Sequence, residues 1–540
     1  MMPPTLPAHP GFANANFTSA QALVDNRGVA GGGVAGGIGR RISSMAYVSK
    51  RLSGALAASA AWLILALAPL TPADAVQGRL EALIRGATLG ETRVSVVVMD
   101  LDRQQVLASI DPDTPMIPAS NMKLITTAAA LDVLGADHVF RTELLLVHAD
   151  DDDDPSLMIL GQGDPAFGDP VLLARHEPPL TVDDVLDKWV AAVNAAGVHH
   201  LARIIVDDSI FDRRFVHPTW PPDQLINRWA APVAGLSFYL NTIDVTATAG
   251  DGSPRVELFP PGPFLETRNR ARRGDRDAFW VSREPGTDRF TFHGTVQSRG
   301  TGPIEVSLHD PPMFLGRLLR HELTGAGLTV GPVRRRDELA ARVTPTRPLH
   351  VVRTALPLVL MRTNQDSQNM FAEALLKAMG RAMTGEPGSW QNGAAAVRMA
   401  LRQRLGPASA AVTVADGSGL SRDNRVTARL IVDLLRSMHH DEHHGRLWRH
   451  TLARAGDSGT LARRMGSLDA EIYAKTGYIR GVSGLSGYLV IPADDEPAGE
   501  RTIAFSFLFN GFTPPLRNAH MRDLQDEMVA AVLEHLTARP

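Results

Sequence analysis

The stretch PASNMKLITTAAAL, residues 118–131, decides how this chain is read. Pro112, Pro115 and Pro118 hold the preceding segment out of a helix, and a helix is predicted to open at Ser120 and run to about Leu134, closed by Gly135. Residues three apart on a helix share a face, so Lys123 comes within reach of the Ser120 hydroxyl. The positive field of the helix N-terminus favours an alkoxide there. Serine is a poor nucleophile until a neighbouring base takes its proton, and a lysine whose pKa is lowered by burial is such a base. Taken alone, Ser-x-x-Lys is weak: a capping serine with a solvated lysine is the commoner explanation.

Outward from that helix, Arg93–Asp100 and Gln105–Ile110 read as strands joined by a turn, preceded by a short amphipathic helix over 77–88. Residues 140–148 return to strand, and the five aspartates at 150–154 read as a solvated loop rather than a calcium site, since no spaced Asp/Asn/Gly pattern accompanies them. From 155 to about 347 the texture is short strands, many glycines and prolines, and helices near 182–196 and 314–328. Helices are then predicted at 356–379, 389–405, 427–438 and 443–453. Strands follow at 470–475, 482–491 and 501–509, and a last helix at 516–537. Strands at both ends with helices between them predict one α/β domain whose two ends pair in one sheet, the middle being inserted material.

The chain has 540 residues, 44% hydrophobic and 21% charged, enough for two or three domains. Lys plus Arg number 55 against 58 Asp plus Glu, a net charge of −3, which argues against a dedicated nucleic-acid binder. A mean hydropathy of −0.06 and a single long apolar stretch exclude a polytopic membrane protein. There is no cysteine, which excludes thiolate catalysis, Cys-ligated zinc, iron–sulfur clusters and disulfides. Residues 1–44 are Gly-, Ala- and Pro-rich without periodicity and read as disordered or as sequence upstream of a start at Met45. Lys50 and Arg51, the uncharged run over 52–73 and Ala73-Asp74-Ala75 then form a secretory signal peptide, so the mature chain is expected to begin at Val76. A retained membrane anchor is the alternative; Pro69 and Pro72 favour cleavage.

Two further patterns complete the set. Ser367-Gln368-Asn369, within RTNQDSQNMFAEALLK, precedes or opens a helix. Lys475-Thr476-Gly477 ends a strand: the lysine offers a fixed charge for a carboxylate, the threonine a hydroxyl, and the glycine room for a ligand backbone. Each has a plain structural explanation by itself. In this order, Ser-x-x-Lys, Ser-x-Asn and Lys-Thr-Gly resemble the active-site set of penicillin-binding proteins and serine β-lactamases. The interval between Ser120 and Ser367 is far longer than a compact β-lactamase needs. It is similar to that of the class C low-molecular-mass penicillin-binding proteins, the D-alanyl-D-alanine carboxypeptidase/endopeptidase family, which insert two domains there. GQGDPAF (161–167), residues 203–211, DGSGLSRDN (416–424), GDSGTLARRM (456–465) and AKTGYIRGVSGLSGYL (474–489) agree, and the resemblance spans 77–537.

The resemblance implies an α/β, multi-domain chain. A catalytic penicillin-binding domain would comprise 76–141 and 348–540, with an inserted domain II over 142–230 and 310–347 and a domain III over 231–309, both mainly β. It implies that Ser120 is acylated, that Lys123 accepts its proton, and that Ser367 and Asn369 pass a proton to the leaving amine and hold the substrate amide. Lys475 and Thr476 would bind the terminal carboxylate. The backbone N–H groups of Ser120 and Tyr478 would form the oxyanion hole beside Gly477. Arg480, Asp223 and Trp229 would contact the stem-peptide side chain, and the Asp416–Ser421 loop would support the site. The implied activity is hydrolysis of the D-Ala-D-Ala bond of peptidoglycan stem peptides, with cross-link cleavage as a second activity, β-lactams as acylating inhibitors, and no metal or cofactor. The protein would act in the periplasm or cell-wall space, with peripheral membrane association left open. A serine β-lactamase and a non-catalytic wall-binding protein are the rival readings. Two stretches are read as exposed loops: His439–His444 rather than a metal site, and the arginines at 268, 270, 272, 273 and 276, interleaved with Asp275 and Asp277, rather than a polyanion site.

Overall fold

The computed structural model describes residues 72–250, 252–297, 302–492 and 499–538. The charged n-region and nearly all of the apolar run of the expected signal peptide lie outside them. Its Ala73-Asp74-Ala75 site falls inside a helix, Pro72–Gly86, that starts earlier than expected and buries Val76 and Leu80. Among the described residues no helix is long and apolar enough to cross a membrane.

The main sheet has six antiparallel strands in the order Ala453–Arg454, Glu471–Ile479, Val482–Pro492, Glu500–Asn510, Arg93–Asp100 and Gln105–Ile110. The first long strand thus pairs with the last, Val94 opposite Phe509 and Val98 opposite Phe505, as the strand pattern at the two ends predicts. Alternation sends Val96, Val98, Phe505, Phe507 and Phe509 to one face, where helices Pro72–Gly86 and Asn518–Thr537 cover them. Val97, Met99, Ala504 and Leu508 face the opposite way, onto a helical layer that includes Met122–Leu134. Both faces are covered, which is why these strands read as nearly continuous apolar runs.

Strands Val139–Ala149 and Val343–Ala355 pair antiparallel from Val139↔Ala355 to Ala149↔Val343, so the two ends of the intervening chain run side by side. They belong to a five-stranded sheet with Ser156–Gly161, Ile204–Asp207 and Val333–Arg335. Helices Val182–Ala195 and Pro311–Gly325 pack in the same hydrophobic cluster through Trp189, Leu315 and Leu318. Smaller two- and three-stranded sheets follow, among them Thr267–Asn269, Trp280–Arg283 and Phe290–His293.

The predicted helix over 356–379 is two helices, Leu356–Asn364 and Asn369–Thr384. Ser367 between them has φ of 58° and Gln368 is extended, so the helical hydrogen bonding stops there and restarts at Asn369. Ser389 and Thr427 cap the next two long helices, Trp390–Leu405 and Ala428–His439. The histidine run starts at the last residue of the second of these. Side-chain atoms of Asp132, Asp441 and His444 converge, but Arg404 bonds both carboxylates and supplies the cation there.

Candidate active site

Ser120 sits in a single 3-10 turn, Ala119–Asn121, directly ahead of helix Met122–Leu134. Ala119 before it has φ of 46°, a left-handed conformation costly for a residue with a Cβ. Two close approaches impose that turn. An added Cβ on Gly477 would lie 2.6 Å from Asn121 Nδ2 and 2.9 Å from the Pro118 carbonyl, and one on Gly419 would lie 1.8 Å from the Ala119 carbonyl. The glycine of Lys-Thr-Gly is therefore required by the protein's own serine turn. The sequence reading gives this glycine to the close approach of a ligand backbone; the structure adds that the serine turn also needs the missing Cβ.

Lys123 is fully buried and its ammonium is held on three sides. Nζ donates to Ser120 Oγ at 2.9 Å, Asn369 Oδ1 at 2.6 Å and the Ser418 carbonyl at 2.9 Å. The Ser120-to-Lys123 spacing and the distant Ser-x-Asn motif thus meet at one nitrogen. Burial lowers the Lys123 pKa to about 7, against the opposing charges of Glu373 and Asp416. A neutral amine is therefore accessible near neutral pH, and its lone pair can then accept the Ser120 proton.

Asn369 completes its amide by donating Nδ2 to the Trp229 carbonyl at 2.7 Å, and the Trp229 indole donates to Gln224 Oε1 at 3.2 Å. This ties the 222–230 segment to the site. Lys475 is also fully buried. Its Nζ donates to the Thr476 carbonyl at 2.9 Å, and Thr476 Oγ1 to Thr460 Oγ1 at 2.9 Å. Burial, and next the charge of Lys123, push the Lys475 pKa well below the usual lysine range, with Asp366 opposing. Tyr478 and Arg480 are exposed, Arg480 in the two-residue hairpin between Ile479 and Val482.

A cleft of about 670 Å³ opens over this arrangement. Ser120, Asp223, Trp229, Ser367, Asn369, Tyr478 and Arg480 all line it. Lys123, Lys475, Thr476 and Gly477 are absent from its lining and stand behind or beside it. Arg422, which the sequence reading did not single out, lines it too and donates to the Arg480 carbonyl.

Glu373 was also missed. It lies four residues after Asn369, one helical turn on, and is fully buried. Its carboxylate accepts the Ser418 N–H at 2.8 Å, the Gly417 N–H at 2.9 Å and the Trp390 indole N–H at 2.8 Å. Asp416 accepts the N–H groups of Gly419 and Ser421 at 2.8 and 2.6 Å and the Trp220 indole at 2.9 Å. Two buried carboxylates thus pin the loop whose Ser418 carbonyl holds Lys123. Burial, with the charge of Asp416, raises the Glu373 pKa to about 7. The available signal was a carboxylate on the otherwise apolar face of MFAEALL.

The profile of the D-Ala-D-Ala carboxypeptidase 3 (S13) family matches residues 76–534. A D-alanyl-D-alanine carboxypeptidase of Actinomadura sp. (strain R39) is 32% identical over 487 residues, 84% of this chain and 84% of that relative. The crystal structure of penicillin binding protein 4 from Haemophilus influenzae matches with a TM-score of 0.68 at 20% identity, over 84% of this chain and 99% of that one. Its complex with a novel β-lactam matches with a TM-score of 0.64 at 19% identity, over 84% and 99%. The multi-domain α/β penicillin-binding fold implied by the sequence is the fold these structures share with this chain.

Proposed function

This chain belongs to the D-Ala-D-Ala carboxypeptidase 3 (S13) family, a family of serine-type carboxypeptidases, and we propose that it hydrolyses the terminal D-Ala-D-Ala bond of peptidoglycan stem peptides through an acyl-enzyme on Ser120. The observation that carries this is the Lys123 amine, 2.9 Å from Ser120 Oγ and 2.6 Å from Asn369 Oδ1 in a buried site. Neutral Lys123 takes the Ser120 proton as Oγ bonds to the scissile carbonyl carbon. The N–H groups of Ser120 and Tyr478 receive the oxyanion. The C–N bond then breaks and the proton passes through Lys123 and Ser367 to the amine of the departing D-alanine. Water attacks the ester, its proton returns to Ser120 through Lys123, and the shortened peptide leaves as a carboxylate. The substrate's terminal carboxylate supplies the counter-charge that lets buried Lys475 hold its proton, and Thr476 adds a hydroxyl. Asp223, Trp229 and Arg480 face the rest of the stem peptide across the cleft.

In this reading the catalytic domain comprises 76–141 and 348–540, with inserts over 142–230 with 310–347 and over 231–309. The hydrophobic cluster around the five-stranded sheet, distinct from those on the two faces of the main sheet, supports an inserted body. Phe211, Trp220 and Val233 of that insert nevertheless pack in the catalytic cluster, and Val281 and Phe290 share the cluster of the five-stranded sheet. The protein is exported, with Val76 as the mature N-terminus, and β-lactams acylate Ser120. The test is incubation of the purified protein with uncross-linked and cross-linked muropeptides, followed by mass analysis. Loss of one D-alanine from pentapeptides, abolished by Ser120→Ala, is the expected outcome, and cross-link cleavage would show the additional endopeptidase activity. Binding of muropeptides without any product would favour a non-catalytic role. Rapid turnover of benzylpenicillin in place of peptides would favour a β-lactamase.

A further inference from the structure

The segment GDSGTLARRM, residues 456–465, bridges the Ser-x-Asn and Lys-Thr-Gly motifs, and its own residues hold it in place. The Gly456 N–H donates to the Leu461 carbonyl at 3.0 Å and to the Arg464 carbonyl at 3.1 Å, which closes the loop on itself. Leu461 is fully buried in the cluster on one face of the main sheet. Arg464, also buried, donates to Asp526 Oδ1 at 2.6 Å and to Gln525 Oε1 at 3.2 Å on the last helix. From this anchored frame the 3-10 turn Gly459–Leu461 presents one exposed side chain, Thr460, toward the site.

Thr460 touches both motifs. Its N–H donates to the carbonyl of Gln365, two residues ahead of Ser367, at 3.0 Å. Gly459, at φ of 56°, presses on the same carbonyl, and an added Cβ there would lie 2.2 Å from it. A chance contact between two surface threonines would need neither that glycine nor that second bond. The Thr460 Oγ1 receives the Thr476 hydroxyl at 2.9 Å. A threonine hydroxyl has one proton and two lone pairs. Thr476 here gives its proton to Thr460, and in that orientation it has none for a substrate carboxylate. Turning the proton toward a carboxylate leaves a Thr476 lone pair facing Thr460. A hydroxyl at 460 can then reverse its role and donate, which an apolar side chain of the same shape cannot do.

On the reading that the site takes peptides ending in D-Ala-D-Ala, we propose that Thr460 is a positioning residue for the substrate's terminal carboxylate. It accepts from Thr476 before the substrate binds and donates to Thr476 Oγ1 once Thr476 donates to the carboxylate. Two hydroxyl rotors turn, and no proton changes owner. A donor behind Thr476 polarises its O–H and fixes its direction, so the bond to the carboxylate is stronger than Thr476 makes alone. Thr460 works through Thr476 and, like it, stands outside the lining of the Ser120 cleft. Its backbone bond to Gln365 sets the carboxylate end of the site in register with the Ser367 turn.

The test is steady-state hydrolysis of a D-Ala-D-Ala pentapeptide by the purified full-length protein and four variants, with melting temperatures alongside. The variants are Thr460→Val, Thr460→Ser, Thr476→Val and the double variant Thr460→Val/Thr476→Val. Valine keeps the shape of threonine and the backbone bond to Gln365, so the exposed position should tolerate it. Thr460→Val should raise KM and lower kcat/KM about fivefold, the scale of one neutral hydrogen bond, with kcat little changed. Thr460→Ser keeps the hydroxyl and should stay close to wild type. In the Thr476→Val background, Thr460→Val should cost nothing more, because its effect passes through the hydroxyl already removed. Wild-type kinetics in Thr460→Val, an equal loss in Thr460→Ser, or additive losses in the double variant would overturn the role of Thr460 while leaving the peptidase reading intact. A wild-type protein that hydrolyses no pentapeptide would overturn that reading and this proposal with it.

Discussion

Glu373→Gln is the perturbation whose outcome depends most directly on how the Lys123 pKa is set. Glu373 reaches Lys123 through one residue: its carboxylate accepts the Ser418 N–H, and the Ser418 carbonyl accepts from Lys123 Nζ. That path puts the two charges roughly 7 Å apart, worth about 2 kcal/mol at an effective dielectric of about 20. Glu373 itself titrates near 7, so close to neutral pH only about half of that acts, about 1 kcal/mol or somewhat under one pH unit. The groups around Glu373 set the sign. Asp416 is a second anion; Lys377, one turn along the same helix, is paired with Asp212; Trp390 contributes an N–H; Lys123 lies beyond Ser418. Removing the Glu373 charge removes one of the two influences that keep Lys123 protonated, so Lys123 loses its proton at lower pH. In the proposed mechanism acylation needs neutral Lys123, so the wild-type rate should rise with pH through about 7, a limb that belongs to the coupled pair. In Glu373→Gln that limb should move down by somewhat less than one unit. The glutamine amide must also point N–H groups at Gly417 and Trp390 or at Ser418, costing about 1–3 kcal/mol of stability for each donor left unmet. The assay is the rate of fluorescent-penicillin acylation from pH 5 to 9, with the melting temperature alongside. A limb that stays in place or moves up would refute the electrostatic argument, even if the plateau fell.

Three other expectations follow from the geometry. Lys475→Ala should lower kcat/KM on D-Ala-D-Ala peptides at least about tenfold, the scale of one charge-assisted contact; wild-type kinetics would remove Lys475 from the site. Gly477→Ala should displace the serine turn, because its Cβ would meet Asn121 and Pro118, and should lower both penicillin labelling and melting temperature; an unchanged variant would mean the turn is free to shift. Arg480 lines the cleft with Arg422, so peptides with a carboxylate-bearing third residue should be preferred over plain lysine ones; equal kcat/KM for both, unaltered by Arg480→Ala, would refute this.

The main sheet was legible because Arg93–Asp100, Val482–Pro492 and Glu500–Asn510 are apolar runs bounded by turn residues, and such runs are strands in a covered sheet. The break at 365–368 was not legible: Gln365, Asp366, Ser367 and Gln368 are all tolerated in helices, and no glycine announces the left-handed conformation at Ser367. The small sheets around 267–296 escaped because strands of two to four residues show too little alternation to read. In the site, Ser120 with Lys123 follows from helical spacing. The meeting of Lys123 with Asn369 and with the Ser418 carbonyl depends on tertiary contacts far apart in sequence, and order of motifs was the only sign of it. Gly477 was legible as a special position, although the group pressing against it is Asn121.

The nucleophile assignment is tested most directly by intact-protein and peptide mass spectrometry after exposure to benzylpenicillin. After ring opening the leaving group of a β-lactam stays tethered and blocks the deacylating water, so a long-lived adduct should map to Ser120. Ser120→Ala should carry no adduct and hydrolyse no peptide while remaining folded, since its hydroxyl caps no helix and its bond to Lys123 is one charge-assisted contact of about 1.5–3 kcal/mol. An adduct on any other residue, or none on enzyme that still hydrolyses pentapeptide, would contradict the account.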